Sequence, residues 1–195
     1  MPLSQTQLAA LTAAAMAAVA CEKADGLPAE LTVPQWADES GWGVHQPENN
    51  WAGIKAHAGV AGYQLLPSTE WFSDADLAAF LKADSRRTAV LRAPEQQNGE
   101  RKLYDVKDAF ASYPVLGDCF ADHSRIIVAD KPYAPAWAQF QKDKKISPFI
   151  ERIAKSYATD PMYALKLKKI LAMPEVSMPS GTPGARSSRS PPPHR

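Results

Sequence analysis

A short pair of predicted β-strands interrupts an otherwise helical sequence, and this order constrains the fold more than any other feature. Residues 88–93 and 101–106 have the apolar and β-branched content of strands. Asn98 and Gly99 between them are typical of a tight hairpin turn, because they tolerate positive φ angles. Residues 109–113 are consistent with a third strand, and apolar residues recur at helical spacing on both sides of this region. The order predicts an α+β fold with a mainly helical lobe, a small β-hairpin lobe and a groove between them.

Two helices are predicted within the first 40 residues. Ser4 and Gln7 fit a capping box at the start of the first helix, which continues through the alanine-rich residues 8–21. The second helix is expected to begin at residue 32 or 33 and to end at Glu39. Pro34 would then lie in its first turn, where no backbone N–H is needed, and the glycines after Glu39 would end it.

Four further helices are predicted from helical spacing and start signals. A serine or aspartate followed by proline commonly begins a helix, because the side chain can accept a bond from a free backbone N–H and the fixed φ of proline suits the first turn. The predicted helices are residues 73–83 with Ser73 as cap, residues 116–127 after Pro114, a helix that begins at Ser147 and Pro148, and a last helix that begins at Asp160 and Pro161 and ends at Pro174.

The length and charge of the chain limit the classes of protein to which it can belong. The chain has 195 residues, of which 45% are hydrophobic and 22% are charged, so one soluble domain with a sizeable core is expected. The net charge of +1 gives no basis for nucleic-acid binding, and the cluster of Lys142, Lys144 and Lys145 is typical of a solvated turn. Cys21 and Cys119 are expected to be buried free thiols, with one long-range disulfide as the alternative. No histidine or cysteine spacing indicates a metal site, and no cofactor is expected.

The two ends of the chain carry no targeting pattern. Residues 8–21 are apolar, but no basic segment precedes them and they are too short to span a bilayer. They are therefore interpreted as a core helix, with no export signal and no transmembrane segment. Residues 175–195 are rich in proline, serine, glycine and arginine without periodicity and are predicted to be disordered. The expected organisation is one domain, residues 1–174, in a monomeric protein.

Residues 36–43 are the most informative stretch for chemistry. Glu39 is predicted at a helix end, two glycines open the backbone after it, and Trp36 and Trp42 lie on either side. A carboxyl group against indole rings loses water, and this desolvation raises its pKa. A general acid that cleaves a sugar bond needs such a setting. The alternative from these residues alone is a solvated glutamate at a helix end.

Five sequence blocks resemble, in the same order, the bacterial peptidoglycan glucosaminidases of glycoside hydrolase family 73, which include flagellar cell-wall hydrolases and autolysins. Residues 35–43 resemble the family's Gln-Ala-x-x-Glu-Ser-Gly-Trp-Gly signature, and residues 49–56 resemble its Asn-Asn-x-Phe-Gly-Ile-Lys-Ala block. The other similar blocks are residues 110–123, residues 132–134, and residues 157–167 with the family's Tyr-Ala-Thr-Asp-Pro motif. The resemblance covers most of residues 28–171 and implies a lysozyme-like fold.

The chain departs from the family pattern in three places. Ala52 replaces the phenylalanine that is usual in the second block, and Ala111 replaces the arginine that usually follows the strand phenylalanine. Residues 63–87, including the predicted helix 73–83, resemble an insertion. The insertion is expected to reshape one wall of the groove.

The resemblance implies that Glu39 is the general acid, which would protonate the glycosidic oxygen as the sugar carbon gains oxocarbenium character. Glycoside hydrolysis usually needs a second carboxylate as base or nucleophile. Glu95, just before the Asn-Gly turn, matches the place of a glutamate in the family's β-lobe, and Glu70 is the alternative. Assistance by the substrate's own acetamido group is also left open.

Five residues are candidates for contact with the sugar chain. Aromatic faces pack against the C–H faces of pyranose rings, and Trp42, Trp51 and Tyr157 are expected to line the groove in this way, with core packing as the alternative for each. Asn50 and Lys55 are expected to bind substrate or to hold a loop near the cleft. Three histidines are interpreted as structural or exposed, because no nucleophile motif accompanies them: His45, His57 and His123.

The sequence therefore predicts an endo-β-N-acetylglucosaminidase that cuts the glycan strands of peptidoglycan without a cofactor. A lysozyme-like muramidase or a lytic transglycosylase is the nearest enzyme alternative. A non-catalytic wall-binding protein is the alternative from a different class. Action at the cell wall or in the periplasm is expected although no export signal is visible, and a phage or prophage lysin would reconcile the two.

Overall fold

The computed structural model describes residues 2–24, 26–58, 60–158 and 160–176, without the side chains of residues 93–97. Its elements are, in chain order, α1 (Gln5–Lys23), α2 (Ala29–Ser40), a 3-10 turn (Pro47–Asn49), β1 (Gly62–Phe72), α3 (Asp74–Ala83), β2 (Thr88–Asn98), β3 (Arg101–Ser112), α4 (Leu116–Ala129), α5 (Ala134–Asp143), α6 (Ile146–Tyr157) and α7 (Tyr163–Leu171). The order of elements confirms an α+β fold.

The start of the predicted tail is packed against the helical lobe. Val176 is 3% exposed and belongs to a hydrophobic core, although it lies two residues inside the segment predicted to be disordered. The disorder predicted for residues 177–195 falls outside the described residues.

The small lobe is an antiparallel sheet with strand order β1-β3-β2. Residues 101–106 and 109–113, predicted as two strands, belong to the single strand β3 up to Ser112. β1 has no counterpart among the predicted strands. It is an edge strand that contains Pro67, and an edge position tolerates a proline because no ladder bond needs its missing N–H. β1 and α3 make up most of the predicted insertion, and α3 packs on the sheet through Phe80.

The capping signals at α1 and α3 are confirmed. Ser4 Oγ accepts a bond from the Gln7 N–H at 3.2 Å, while the Gln7 side chain accepts one from the Ser4 N–H at 3.0 Å. Ser73 Oγ accepts a bond from the Asp76 N–H at 3.2 Å. Each bond satisfies a backbone donor that the helix itself leaves free, so these starts can be identified from local sequence.

Other helix starts differ from the prediction. α2 begins at Ala29, so Pro34 lies inside it rather than in its first turn. α6 begins one residue before Ser147, and α7 begins at Tyr163, two residues after the Asp160-Pro161 signal. α5 has no predicted counterpart. Proline is compatible with several first-turn positions, so it indicates that a helix begins nearby without fixing the residue.

α2 lies at the junction of two hydrophobic cores. Its Val33 and Trp36 belong to a core shared with α1 and α4, and its Leu31 belongs to a second core shared with α5, α6 and α7. Nine of the 12 residues of α2 are buried. Full burial of a large apolar side chain stabilises the fold by roughly 1.5–3 kcal/mol, so packing from both sides fixes this helix despite Pro34.

Cys21 and Cys119 are free thiols, as expected. Cys119 is buried and Cys21 is half-buried, and burial raises the pKa of the Cys119 thiol to about 12. Among the described residues, no helix combines the length and the apolar content needed to cross a membrane.

Candidate active site

Glu39 lies in the last turn of α2, where the chain leaves the helix through three residues with positive φ. Gly41, Trp42 and Gly43 have φ values of 58°, 63° and 86°. Ser40 fixes this turn, because its hydroxyl donates to the Trp36 carbonyl at 2.5 Å and accepts from the Gly43 N–H at 2.8 Å. The predicted helix end at Glu39 is therefore correct to within one residue.

Position 43 requires glycine for steric reasons as well as for its positive φ. A Cβ atom there would lie 3.0 Å from the Ala10 Cβ and 3.1 Å from the Trp36 ring. The turn after Glu39 is thus pressed against α1 and the indole of Trp36, and a larger residue at position 43 would displace it.

Among the residues that the structure describes, the Glu39 carboxyl forms a hydrogen bond with Tyr163 on α7. The Tyr163 hydroxyl donates to Glu39 Oε1 at 3.0 Å and accepts a weak bond from Gln35 Nε2 at 3.5 Å. Burial raises the pKa of Glu39, and the negative charge of Asp38 adds to this shift. The bond from Tyr163 and the charge of Lys166 oppose it. The balance is a raised pKa, which is the state that a general acid requires.

The structure corrects the cause expected for this shift. Trp36 is fully buried in the core between α1 and α2, and its Nε1 donates to Gln46 Oε1 at 2.8 Å. Trp42 is half-buried against the same core. Neither indole lines the cleft that contains Glu39. The partners that the structure gives to Glu39 come from α7, and nothing in the helical spacing of Tyr163 distinguishes it from an ordinary core tyrosine.

The Glu39 side chain lines a cleft of about 790 Å³. α2, the loop before β1, α4 and the chain after α6 all contribute to its walls. The lining residues are Glu39, Ala52, Ile54, Lys55, His57, His123, Arg125, Ile126, Ile127, Asp130, Tyr133, Tyr157, Ala158 and Asp160. A volume of this size is in the range of small-molecule and sugar sites.

Tyrosine rings form the wall next to Glu39. Tyr157, the last residue of α6, stacks on Tyr163 with ring centroids 5.5 Å apart and planes at 15°. Tyr133 lies 6.3 Å from Tyr157, and both rings line the cleft. Burial raises the pKa of Tyr157, with the charge of Glu39 as the next contribution. Tyr157 therefore keeps its hydroxyl proton in the wall of the cleft, and its contact with a sugar stays a prediction.

Lys55 joins the cleft to the β-lobe. Its Nζ lies 2.8 Å from Glu70 Oε1 and 2.6 Å from Asp108 Oδ2. It also sits 4.1 Å from the centroid of the Phe110 ring, and Arg87 Nη2 lies 3.2 Å from the other oxygen of Asp108. Glu70, the alternative second carboxylate, is thus held in an ion-pair network beside the cleft.

Glu95 lies in an irregular part of β2. The pairing of β2 with β3 shifts register between Leu91 and Ala93 and again between Ala93 and Gln97. Residue 95 falls within the second irregularity, and its side chain is outside the described part of the chain. Its role as the second carboxylate stays a prediction.

Asn50 and Trp51 have supporting positions in the structure. The Asn50 amide donates to the carbonyls of Ile54 and Ala111, both at 2.9 Å, and its oxygen accepts the Ile54 N–H at 2.9 Å. Trp51 is 3% exposed and packs against Phe120 and His123. Neither residue is part of the cleft lining. Their geometry matches the alternatives of loop support and core packing.

Asp122 organises a group that sequence reasoning did not find. Its Oδ2 accepts bonds from the Tyr113 hydroxyl and from His57 Nε2, both at 2.6 Å, and its Oδ1 accepts two bonds from Arg125. His57 Nδ1 faces the Ala58 carbonyl at 2.8 Å. The bond to Asp122 and the bond to Ala58 together raise the pKa of His57. Burial acts to raise the pKa of Asp122, but the three donors outweigh it and lower this pKa.

His123 lies at the base of the cleft as a neutral side chain. It is 3% exposed, and burial lowers its pKa to about 4. Neither of its ring nitrogens has a hydrogen-bond partner among the described residues. No group of three or more acidic, histidine or cysteine side chains in the described part of the chain is arranged to hold a metal ion.

A mainly helical lobe with a small β-lobe, and a helix-end carboxyl with a raised pKa that faces a cleft, is an arrangement typical of glycoside hydrolases. The comparison with protein families agrees. The family model described as mannosyl-glycoprotein endo-β-N-acetylglucosaminidase matches residues 15–175, so the chain belongs to the glucosaminidase family. The protein is a glycoside hydrolase of this family, as the sequence resemblance predicted. The comparison with curated protein sequences found no significant match.

Solved structures confirm the fold. A peptidoglycan hydrolase mutant from Sphingomonas sp. A1 is 24% identical with a TM-score of 0.55, covering 87% of this chain and 95% of that one. The catalytic domain of the autolysin Auto from Listeria monocytogenes is 20% identical with a TM-score of 0.58, covering 88% and 85%. A truncated glycoside hydrolase domain of FlgJ from Salmonella typhimurium is 23% identical with a TM-score of 0.54, covering 85% and 95%.

Proposed function

We propose that this glucosaminidase cleaves the glycan strands of peptidoglycan after an N-acetylglucosamine unit, with Glu39 as the general acid. The observation that carries the proposal is the setting of Glu39, whose carboxyl has a raised pKa and opens into the tyrosine-lined cleft. The similar structures from Sphingomonas, Listeria and Salmonella, described as peptidoglycan hydrolase, autolysin and glycoside hydrolase, support this substrate class.

The proposed reaction begins with a protonated Glu39. Its proton passes to the glycosidic oxygen while the bond from that oxygen to the sugar C1 breaks, and positive charge develops at C1 and the ring oxygen. Tyr157 and Tyr133 supply faces and hydroxyl donors that hold the sugar units on either side of the bond. Water then adds to C1 and loses a proton, which leaves the product with a reducing N-acetylglucosamine end.

A second carboxylate completes the reaction as base or nucleophile, and Glu95 is proposed for this role. Glu70 is the less suitable of the two, because one of its oxygens already accepts bonds from Lys55 at 2.8 Å and from Ser68 at 3.1 Å.

The test compares the native protein with Glu39→Gln on purified, dye-labelled cell walls. Loss of the acid is expected to reduce dye release by about 10²- to 10⁴-fold, while binding to the walls is retained. Glu30→Gln is the matched control, because Glu30 is an exposed carboxylate in the first turn of the same helix and does not line the cleft. Native protein that binds walls and releases nothing would establish the non-catalytic alternative.

Mass spectrometry of the products decides which bond is cut. New reducing N-acetylglucosamine ends are expected. New reducing muramic acid ends would identify a muramidase, and anhydromuramic ends would identify a lytic transglycosylase. Either of those results would refute the proposed specificity.

A further inference from the structure

A second cavity of about 610 Å³ adjoins the cleft. His57 and Arg125 line both spaces, so these two side chains form the boundary between them. The other walls come from the chain after His57, the end of β3 and the first turns of α4. The remaining lining residues are Ala58, Val60, Ala61, Tyr113, Pro114, Asp118, Ala121 and Asp122.

The boundary consists of a guanidinium and an imidazole that share one carboxylate. Arg125 Nε and Nη2 donate to Asp122 Oδ1 at 3.0 and 2.7 Å. His57 lies between two acceptors, the Asp122 carboxylate at 2.6 Å and the Ala58 carbonyl at 2.8 Å, and Arg125 Nη2 lies 3.4 Å from its Nε2. The protonated form of His57 can donate to both acceptors. The guanidinium and the imidazole share one carboxylate, and 57% of the Arg125 side chain remains exposed.

A carboxylate lies elsewhere in the wall of the same cavity. Asp118 is exposed in the first turn of α4, and it forms no ion pair with any residue that the structure describes. The cavity thus offers a guanidinium on one part of its wall and a free carboxylate on another. A ligand with both a carboxylate and an ammonium group would complement this arrangement.

The lining does not suit another sugar unit. Tyr113 is the one phenylalanine, tyrosine or tryptophan among the described lining residues, and it is 6% exposed with its hydroxyl bonded to Asp122. A pyranose ring would therefore find no open aromatic face. The remaining apolar lining consists of small side chains, which fit methyl groups rather than a sugar face: Ala58, Val60, Ala61, Pro114 and Ala121.

We propose that this second cavity binds the peptide stem that hangs from the glycan strand lying in the cleft. The inference rests on the proposed function, because the stem reaches the cavity when its strand occupies the cleft. Peptide stems of the cell wall combine alanine methyls with free carboxylates and an amino group. A stem carboxylate pairs with Arg125, the stem ammonium pairs with Asp118, and the methyl groups contact the small apolar wall. The enzyme then recognises the peptide stem as well as the sugar chain.

The experiment uses two soluble substrates, glycan chains that carry uncross-linked stems and the same chains after an amidase has removed the stems. The variants are Asp118→Asn, which removes the free carboxylate, and Ala61→Trp, which places a large ring in the cavity. Their matched controls are Glu30→Gln, another exposed first-turn carboxylate, and Ala13→Trp, another exposed alanine, neither of which lines either space. Reducing ends released per minute give kcat and KM for each pair.

On stem-bearing chains, Asp118→Asn is expected to raise KM by about two- to fivefold, the range for one exposed ion pair. Ala61→Trp is expected to raise it by about tenfold, because the ring excludes the stem altogether. On stem-free chains both variants should match the native protein, and kcat should not change. Equal KM values for native protein and both variants on stem-bearing chains would overturn the inference while leaving the proposed function intact. A native protein that cleaves neither substrate would refute the proposed function and this inference with it.

The soluble stem peptide provides a direct second measurement. Titrated into isotope-labelled Glu39→Gln protein, it is expected to shift the backbone NMR signals of residues 58, 60, 61 and 114–121. The same titration of Ala61→Trp should leave them unmoved. Shifts confined to other parts of the chain in the first titration, or an absence of shifts, would contradict the assignment of this cavity.

Discussion

Replacement of Tyr163 by phenylalanine tests whether its hydroxyl sets the working pH of Glu39. The hydroxyl donates to the Glu39 carboxylate at 3.0 Å and so favours the ionised form. Its removal should therefore raise the pKa of Glu39 further. The ring of phenylalanine retains the stack on Tyr157 at 5.5 Å, so the cleft wall keeps its shape.

The size of the shift follows from the bond that is lost. A hydrogen bond to a charged group contributes about 1.5–3 kcal/mol, which corresponds to roughly one to two pKa units at about 1.4 kcal/mol per unit. Glu39 is only partly desolvated and remains accessible from the cleft, so water replaces part of the lost bond. Allowing for this screening, a rise of about half to one unit is expected.

The assay is the pH dependence of kcat/KM on soluble glycan chains. A general acid must be protonated, so a higher pKa of Glu39 should move the alkaline limb of the profile upward by the same half to one unit, as an order-of-magnitude expectation. Tyr104→Phe is the matched control, because Tyr104 is a buried tyrosine that packs against Phe72 in the β-lobe. An alkaline limb that stays in place, or moves downward, with normal thermal unfolding would refute the reasoning.

Three further predictions concern the second carboxylate, the turn after Glu39 and pH-dependent stability. Glu95→Gln should lower kcat on glycan chains by about 100-fold or more and Glu70→Gln by less than about tenfold, and the reverse order would transfer the role to Glu70. Gly43→Ala should lower the free energy of unfolding by about 1–3 kcal/mol because of its φ of 86° and its close contacts, whereas Gly99→Ala, with φ of 61° and open space, should cost less in the same denaturant titration. His57 has a raised pKa, so its contribution to stability is present below pH 6.5 and is lost as the pH rises through the pKa of the folded state. Asp122 has a lowered pKa, so its contribution is present above pH 3.8 and is lost as the pH falls through the pKa of the folded state. The thermal unfolding temperature of the native protein should fall as the pH rises through the folded pKa of His57, and His57→Gln should remove this alkaline loss. A difference between the two proteins that does not depend on pH would contradict the prediction.

Local signals predicted the parts of the fold that local interactions determine. The capping box at Ser4 and the cap at Ser73 can be read from neighbouring residues because the bonds they make span three positions. The helix end at Glu39 was predicted to within one residue for the same reason, since Gly41 supplies the left-handed cap directly after Ser40. The order of predicted helices and strands indicated the α+β class. The family resemblance supplied the lysozyme-like fold and the activity, which no local pattern could give.

The parts that could not be predicted depend on residues distant in sequence. Tyr163 lies 124 positions from the carboxyl that it bonds, and Asp122 lies 65 positions from His57. β1 contains Pro67 and a mixed pattern of half-buried residues, and its pairing with β3 decides its conformation. For Trp51 and Asn50, an aromatic ring and an amide suit a sugar site and a protein interior equally well, so their place depends on packing that sequence alone does not define.

The separation of the small β-lobe core from the two cores around α2 has a consequence for how such enzymes can change. Phe80, Tyr104 and Val106 are buried with one another, independently of the residues that hold Glu39. Strand lengths, turns or an added helix can therefore be exchanged in this lobe without displacing the acid. New preferences for the architecture of the cell wall can thus arise through changes in this lobe while the position of the acid is inherited unchanged.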